Sequence, residues 1–349
     1  MLAQNETFKV KVANYILPYV PLSLLCGRVR INPIIGYYHL VSDEDVACIK
    51  HLHPYKNVAQ FKDDLDFISR KFVPLNLTDF LEHLKTGQAL PDNAFLLTFD
   101  DGYRESYDII APILMEKGIP ATFFISSAFV DNKTMSHNHK ASLIIERLKT
   151  SKSSSLIKKT KEVLKMHGYQ STNCEKCILD IEYRHRIVLE EIAGSISIDY
   201  RDYLAEHKPF LTSGQIKEMV KKGFAIGAHS IDHPLYSALS LDQQLHQTNS
   251  SISFVREKFG LNYGAFAFPY NDYDISNDFF NAAHKTGLAD VFFGTAGIMA
   301  DRKNNRFQRF GLEWNNHPAE KIVPLQLARK IYKNNSARRL KPAGVSLNR

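Results

Sequence analysis

Short apolar runs alternate with segments of helical spacing along most of this chain, and that alternation restricts it to parallel βα units more than any other feature does. Asn32–Leu40, Val73–Leu77, Ala94–Phe99, Pro120–Ile125, Gly223–Ala228, Ala265–Phe268, Val291–Gly294 and Phe307–Leu312 read as strands, about eight in all. The run Ala94–Phe99 carries the most information. It is bounded by turn signals, so it reads as a buried strand, and it ends in Asp100-Asp101-Gly102 just before a helical pattern begins at Glu105. Strand ends that feed a helix are where α/β folds place their chemistry. Side chains alternate along a strand, so adjacent carboxylates share one environment only if the backbone turns there, and Gly102 makes that turn easy. Two carboxylates in two environments can divide the work, one holding a cation and the other handling a proton. By itself, Asp-Asp-Gly more often means a strand ending in a solvated turn.

A second strand changes that balance. Gly223–Pro234 ends in His229 and His233, a His-x-x-x-His spacing that can set both imidazoles on one face of a turn. Two histidines and one aspartate with open positions form the ligand pattern of a catalytic metal rather than a structural one.

Taken together, Thr98-Phe99-Asp100-Asp101-Gly102-Tyr103 and His229-Ser230-Ile231-Asp232-His233-Pro234, with Phe266-Ala267-Phe268-Pro269-Tyr270 as a weaker third motif, resemble the polysaccharide deacetylases, the NodB-homology or carbohydrate esterase family 4 group. The resemblance implies an α/β fold, a distorted (β/α)7-8 barrel over residues 32–333. The strand pattern stops between about 131 and 208, which reads as a helical insertion able to influence substrate choice. Residues 1–31 read as an N-terminal helical segment and 334–349 as a flexible basic tail.

The implied activity is metal-dependent hydrolysis of acetyl groups, N-acetyl foremost, on a polysaccharide or lipid-linked sugar. Asp101, His229 and His233 match the family's ligands for a divalent ion, zinc first, with cobalt, nickel and manganese as alternatives. Asp100 matches the general base, and the backbone N–H of Tyr103 the oxyanion donor. Pro269 and Tyr270 would wall the substrate pocket. Ser230 and Asp232 would shape the histidine loop.

The chain departs from the family pattern twice. No arginine in the third motif holds the base aspartate, so Arg309, with Arg306 as second choice, is expected to supply that charge beside the substrate-binding residues. The final Leu-x-x-His that provides the general acid is missing, and His317 is its nearest candidate. His39, at the end of the first strand, either lines the site or is simply hydrogen-bonded at the rim. Asp290 is a candidate partner for a site histidine, whereas His137 and His139 read as surface residues. These departures keep an alternative in play, a catalytically silent carbohydrate-binding barrel.

A net charge of +7 permits an acidic partner such as an anionic glycan or a membrane surface, but the basic residues are dispersed and exclude a nucleic-acid face. Four cysteines make no disulfide framework, and Cys174-Glu175-Lys176-Cys177 reads as a surface turn. The apolar stretch Tyr15–Cys26 holds two prolines and is too short to span a bilayer. It is expected to be a retained helix packed on the domain or against a membrane, in a cytoplasmic protein.

Overall fold

The computed structural model describes residues 22–339 apart from 30, 171, 172, 288, 302 and 303. Its strands are β1 (Ile34–Tyr38), β2 (Val73–Pro74), β3 (Ala94–Phe99), β4 (Thr122–Ile125), β5 (Ala225–Ala228), β6 (Ala265–Ala267), β7 (Val291–Gly294), β8 (Ala300–Asp301), β9 (Arg306–Gln308) and β10 (Phe310–Gly311). β1, β3, β4, β5, β6 and β7 lie side by side in that order, all parallel. β9 then pairs with β7 while β10 pairs with β1. One stretch, residues 306–311, therefore closes the ring, with Arg309 at the break between its halves. β2 takes the first part of the β3 edge that β4 occupies further on, and β8 folds back antiparallel on β9. The expected barrel is present, and the distortion lies in these two short additions.

Parallel strands covered on both faces must be apolar throughout, and every residue of β3, β4, β5 and β7 is buried. Inside the ring, close packing leaves no room for a side chain at Gly227, where a Cβ would meet the Phe124 ring at 2.4 Å and the Ala265 carbonyl at 3.0 Å. Helices cover the outside. The chain's N-terminal part enters as the helix Leu22–Val29, whose Leu25 and Val29 join the core beneath the last helix, Ala319–Arg339. The first 21 residues lie outside those described. That last helix runs past Asn334, so the tail expected from 334 onward starts as helix instead. Among the described residues, no helix is long and apolar enough to cross a membrane.

Between β4 and β5, ahead of the helix Ser213–Lys221, the described residues of the insertion form five helices, His137–Ser151, Ser154–Met166, Cys174–Leu179, Ile187–Ser195 and Tyr200–His207, the first four around a core of their own that includes Ile144, Ile178, Leu189 and Ile192. Cys174 and Cys177 sit on the third of these, with Cys177 buried, so the expected surface turn is a short helix. A second cluster, with Leu40, Tyr103, Phe129, Met135, Leu143 and Phe210, binds the insertion to the barrel rim.

Candidate metal centre and its cavity

The parallel register brings the chemistry-bearing strand ends to one rim. Asp100 follows β3 and donates its N–H to the Tyr38 carbonyl of β1, so His39 and Asp100 emerge side by side. His229 follows β5 and donates its N–H to Ile125 of β4. The backbone turns as expected between the carboxylates, with φ of +71° at Asp101 and +74° at Gly102. Left-handed backbone is costly for residues other than glycine, yet Asp101, Ser230, His233 and Tyr270 all adopt it here, the clustering typical of functional sites.

Asp101, His229 and His233 offer ligand atoms that all lie within 4.8 Å of one another. Asp101 Oδ1 stands 3.4 Å from His229 Nε2 and 3.2 Å from His233 Nε2. It is buried and accepts no hydrogen bond. His229 donates from Nδ1 to the Ala267 carbonyl at 2.8 Å, which leaves an Nε2 lone pair facing that carboxylate. A lone pair aimed at a buried carboxylate oxygen is repulsive unless a cation sits between them. The donor set, its tautomer and the orphaned oxygen all fit a divalent ion of the zinc type. Ser230 Oγ accepts from the His233 N–H at 3.0 Å, and Asp232 accepts from Gln247 and Tyr183, so both shape the loop as expected.

Asp100 meets Arg309. The guanidinium donates bidentately to both carboxylate oxygens at 2.7 Å, and to Thr98 Oγ1 at 3.0 Å. Burial pushes Asp100 up, but Arg309 and then His229 outweigh it, and its pKa lies below the ordinary value. Arg309 is fully buried against the Tyr37 and Phe124 rings, so it holds Asp100 and presents no surface to a substrate. That corrects its placement among the substrate-binding residues. Arg306 instead lies by Asp272 and over the Phe280 ring.

His39 follows β1 and lines the cavity. Its Nδ1 donates to Glu313 Oε2 at 2.7 Å, and Glu313 Oε1 accepts the backbone N–H of His39 and of Leu40. Burial alone would lower this imidazole, but the Glu313 carboxylate lifts it to about 9. His317, by contrast, does not line the cavity. Its carbonyl accepts from the buried Lys56 ammonium at 2.6 Å, and its ring lies by Trp314 and Lys321, which takes it out of the place expected for an acid. Asp290 is also elsewhere, accepting the Gly264 N–H at 2.6 Å. His39, His53 and Glu313 form a second close set, but Glu313 already spends both oxygens on His39 and its neighbour.

A cavity of about 690 Å³ opens over these groups, lined among others by Asp100, Asp101, His39, His229, His233 and Tyr270. Tyr270 packs edge-on against His233, with ring centroids 4.6 Å apart. Pro269 is buried behind the wall, and Phe268 lines it instead. Tyr103 sits at the unpaired position of a short ladder, since Leu211 N–H bonds the Gly102 carbonyl and Arg104 N–H bonds Pro209. The ladder therefore does not consume the Tyr103 N–H. The insertion contributes a wall too, through Asn138, His139 and Asp180. Asn138 donates to the Tyr270 hydroxyl at 2.8 Å. His137 and His139, expected at the surface, are both buried, and desolvation lowers them to about 4 and about 3.

A family model described as "Polysaccharide deacetylase" matches residues 87–291, more than half the chain. No curated protein matches the chain in sequence. Among solved structures, the chain is similar to the Streptococcus pyogenes deacetylase PplD in complex with acetate, at 15% identity and TM-score 0.55 over 84% of this chain and 98% of that one. It is also similar to IcaB from Ammonifex degensii, at 16% identity and TM-score 0.51 over 84% and 96%. A de-N-acetylase from Aggregatibacter actinomycetemcomitans follows at 14% identity and TM-score 0.50 over 79% and 93%. At these identities the likeness concerns the fold.

Proposed function

Given that the chain belongs to the polysaccharide deacetylase family, hydrolases of acetyl amide bonds on polysaccharides, we propose that it removes N-acetyl groups from a sugar polymer with a divalent ion, zinc foremost, held by Asp101, His229 and His233. A bound ion of this kind supplies Lewis acidity, bringing the ionisation of water near neutral pH and polarising an acyl oxygen. The remaining work falls to the chain's own groups. Asp100, kept ionised by Arg309, takes the proton of the attacking water. His39, kept protonated by Glu313, gives its proton to the departing amine. The Tyr103 N–H is the donor for the developing oxyanion.

The single observation carrying this reading is the opposed charging of Asp100 and His39. Each is paired with a buried partner of opposite charge, which drives the two protonation states apart across one cavity. A structural ion pair needs no such division. A silent binding barrel would have no use for it either.

The test is acetate release from N-acetylglucosamine oligomers. It is expected to stop on treatment with chelator, return with Zn²⁺ or Co²⁺, and fall at least about 10²-fold in Asp100→Asn. Undiminished release by Asp100→Asn would overturn the mechanism, and glycan binding without release would favour the silent barrel.

A further inference from the structure

The metal-side carboxylate is held from outside the barrel. Asp101 Oδ2 accepts a hydrogen bond from the Tyr103 hydroxyl at 2.8 Å, and that hydroxyl meets His139 Nε2 at 2.8 Å. His139 lies in the first turn of the insertion's first helix, where Ser136 caps the helix and the two residues exchange bonds. The Ser136 backbone N–H donates to His139 Nδ1 at 3.2 Å.

These contacts leave one arrangement of protons. A backbone N–H can only donate, so His139 Nδ1 is the acceptor and its proton sits on Nε2. Nε2–H therefore donates to Tyr103 Oη, and the Tyr103 proton is free for Asp101 Oδ2. The donors run in one direction, from Ser136 through His139 and Tyr103 to the carboxylate. All four residues are buried, and the Tyr103 and His139 rings pack against Phe210 and, for His139, Phe129. Oδ1, the oxygen left without a partner, is the one that faces both imidazoles. With Oδ2 tied, the carboxylate cannot rotate, and Oδ1 stays where a cation needs it.

We propose that His139, acting through Tyr103, is a positioning residue of the metal centre, so that the helical insertion sets how tightly the barrel holds its ion. This rests on the assignment of Asp101, His229 and His233 as ligands and goes beyond it. Outer hydrogen bonds to ligating groups are commonly worth about 10–100-fold in metal affinity.

The experiment measures Zn²⁺ affinity of the full chain by competition with a chromophoric chelator, alongside urea unfolding of the metal-free protein. Tyr103→Phe, which removes one oxygen, and His139→Ala are expected to raise the Kd about 10–100-fold. His139→Gln, whose amide nitrogen can still donate to Tyr103, is expected to restore most of the affinity. A structural role alone would move the unfolding of the metal-free protein and leave the Kd unchanged. If His139→Ala fails to fold, Tyr103→Phe carries the test. A Kd for Tyr103→Phe within about threefold of the parent overturns the proposal while the ligand assignment stands. A parent chain that binds no Zn²⁺ overturns both.

Discussion

Replacing Glu313 with glutamine isolates the acid half of the mechanism. The carboxylate lies 2.7 Å from His39 Nδ1 and is what lifts that imidazole to about 9 against its own burial. Without the charge, His39 falls to its ordinary value of about 6.5 or below, since burial is no longer opposed. At pH 7.5 a group titrating near 9 is ~97% protonated, whereas one at 6.5 is ~9% protonated. Acetate release should therefore drop about tenfold at pH 7.5 in Glu313→Gln. At pH 6 the variant is still ~76% protonated, and the loss should nearly vanish. A bound dication lowers His39 in both proteins alike, so the displacement between the two alkaline limbs is the informative quantity. The assay is kcat/KM for acetate release from pH 5.5 to 10. Superimposable alkaline limbs, or a loss of equal size at every pH, would refute the assignment of His39 as the protonated acid.

Arg309→Met leaves the Asp100 carboxylate buried without its cation, a defect commonly worth about 3–5 kcal/mol. Because Asp100 is depressed in the parent, that deficit should be full at neutral pH and shrink as acid neutralises the carboxyl, which urea unfolding at pH 7 and pH 4 would reveal. Asp101→Asn should cut bound zinc well below one ion per chain by elemental analysis, while Asp100→Asn retains it. Gly227→Ala forces a methyl onto Phe124 inside the ring, two residues before His229, and should cost about 1–3 kcal/mol in chemical denaturation.

The barrel and the candidate ligand cluster were legible because both depend on local patterns. Buried parallel strands leave continuous apolar runs, and strand ends carrying Asp100, Asp101, His229 and His233 announce themselves within a few residues. The groups that tune the site were harder, because each is defined by a partner distant in the chain. Arg309 shows its charge in the sequence, but its burial beneath the rim, away from substrate, follows only from closure of the ring. His39 stands at a strand end, yet nothing adjacent marks it as the proposed acid, since its carboxylate is Glu313. The signal was present: Glu313 also follows a strand-like run, the same cue that exposed Asp100. His317 misled because it is the nearer match by order in the sequence, while its backbone is committed to Lys56. His139 looked like surface because its segment is polar. Only the packing of the insertion on Tyr103, Phe129 and Phe210 takes it out of water.

The stretch 306–311 joins β7 to β1 and carries Arg309, and Glu313 follows directly behind it. The partners of Asp100 and His39 thus both lie on the last segment of the ring, whereas Asp101, His229 and His233 all precede it in the chain. Closing the barrel and completing the two buried ion pairs at its cavity are therefore one structural event, and loosening this single seam would disturb both pairs together.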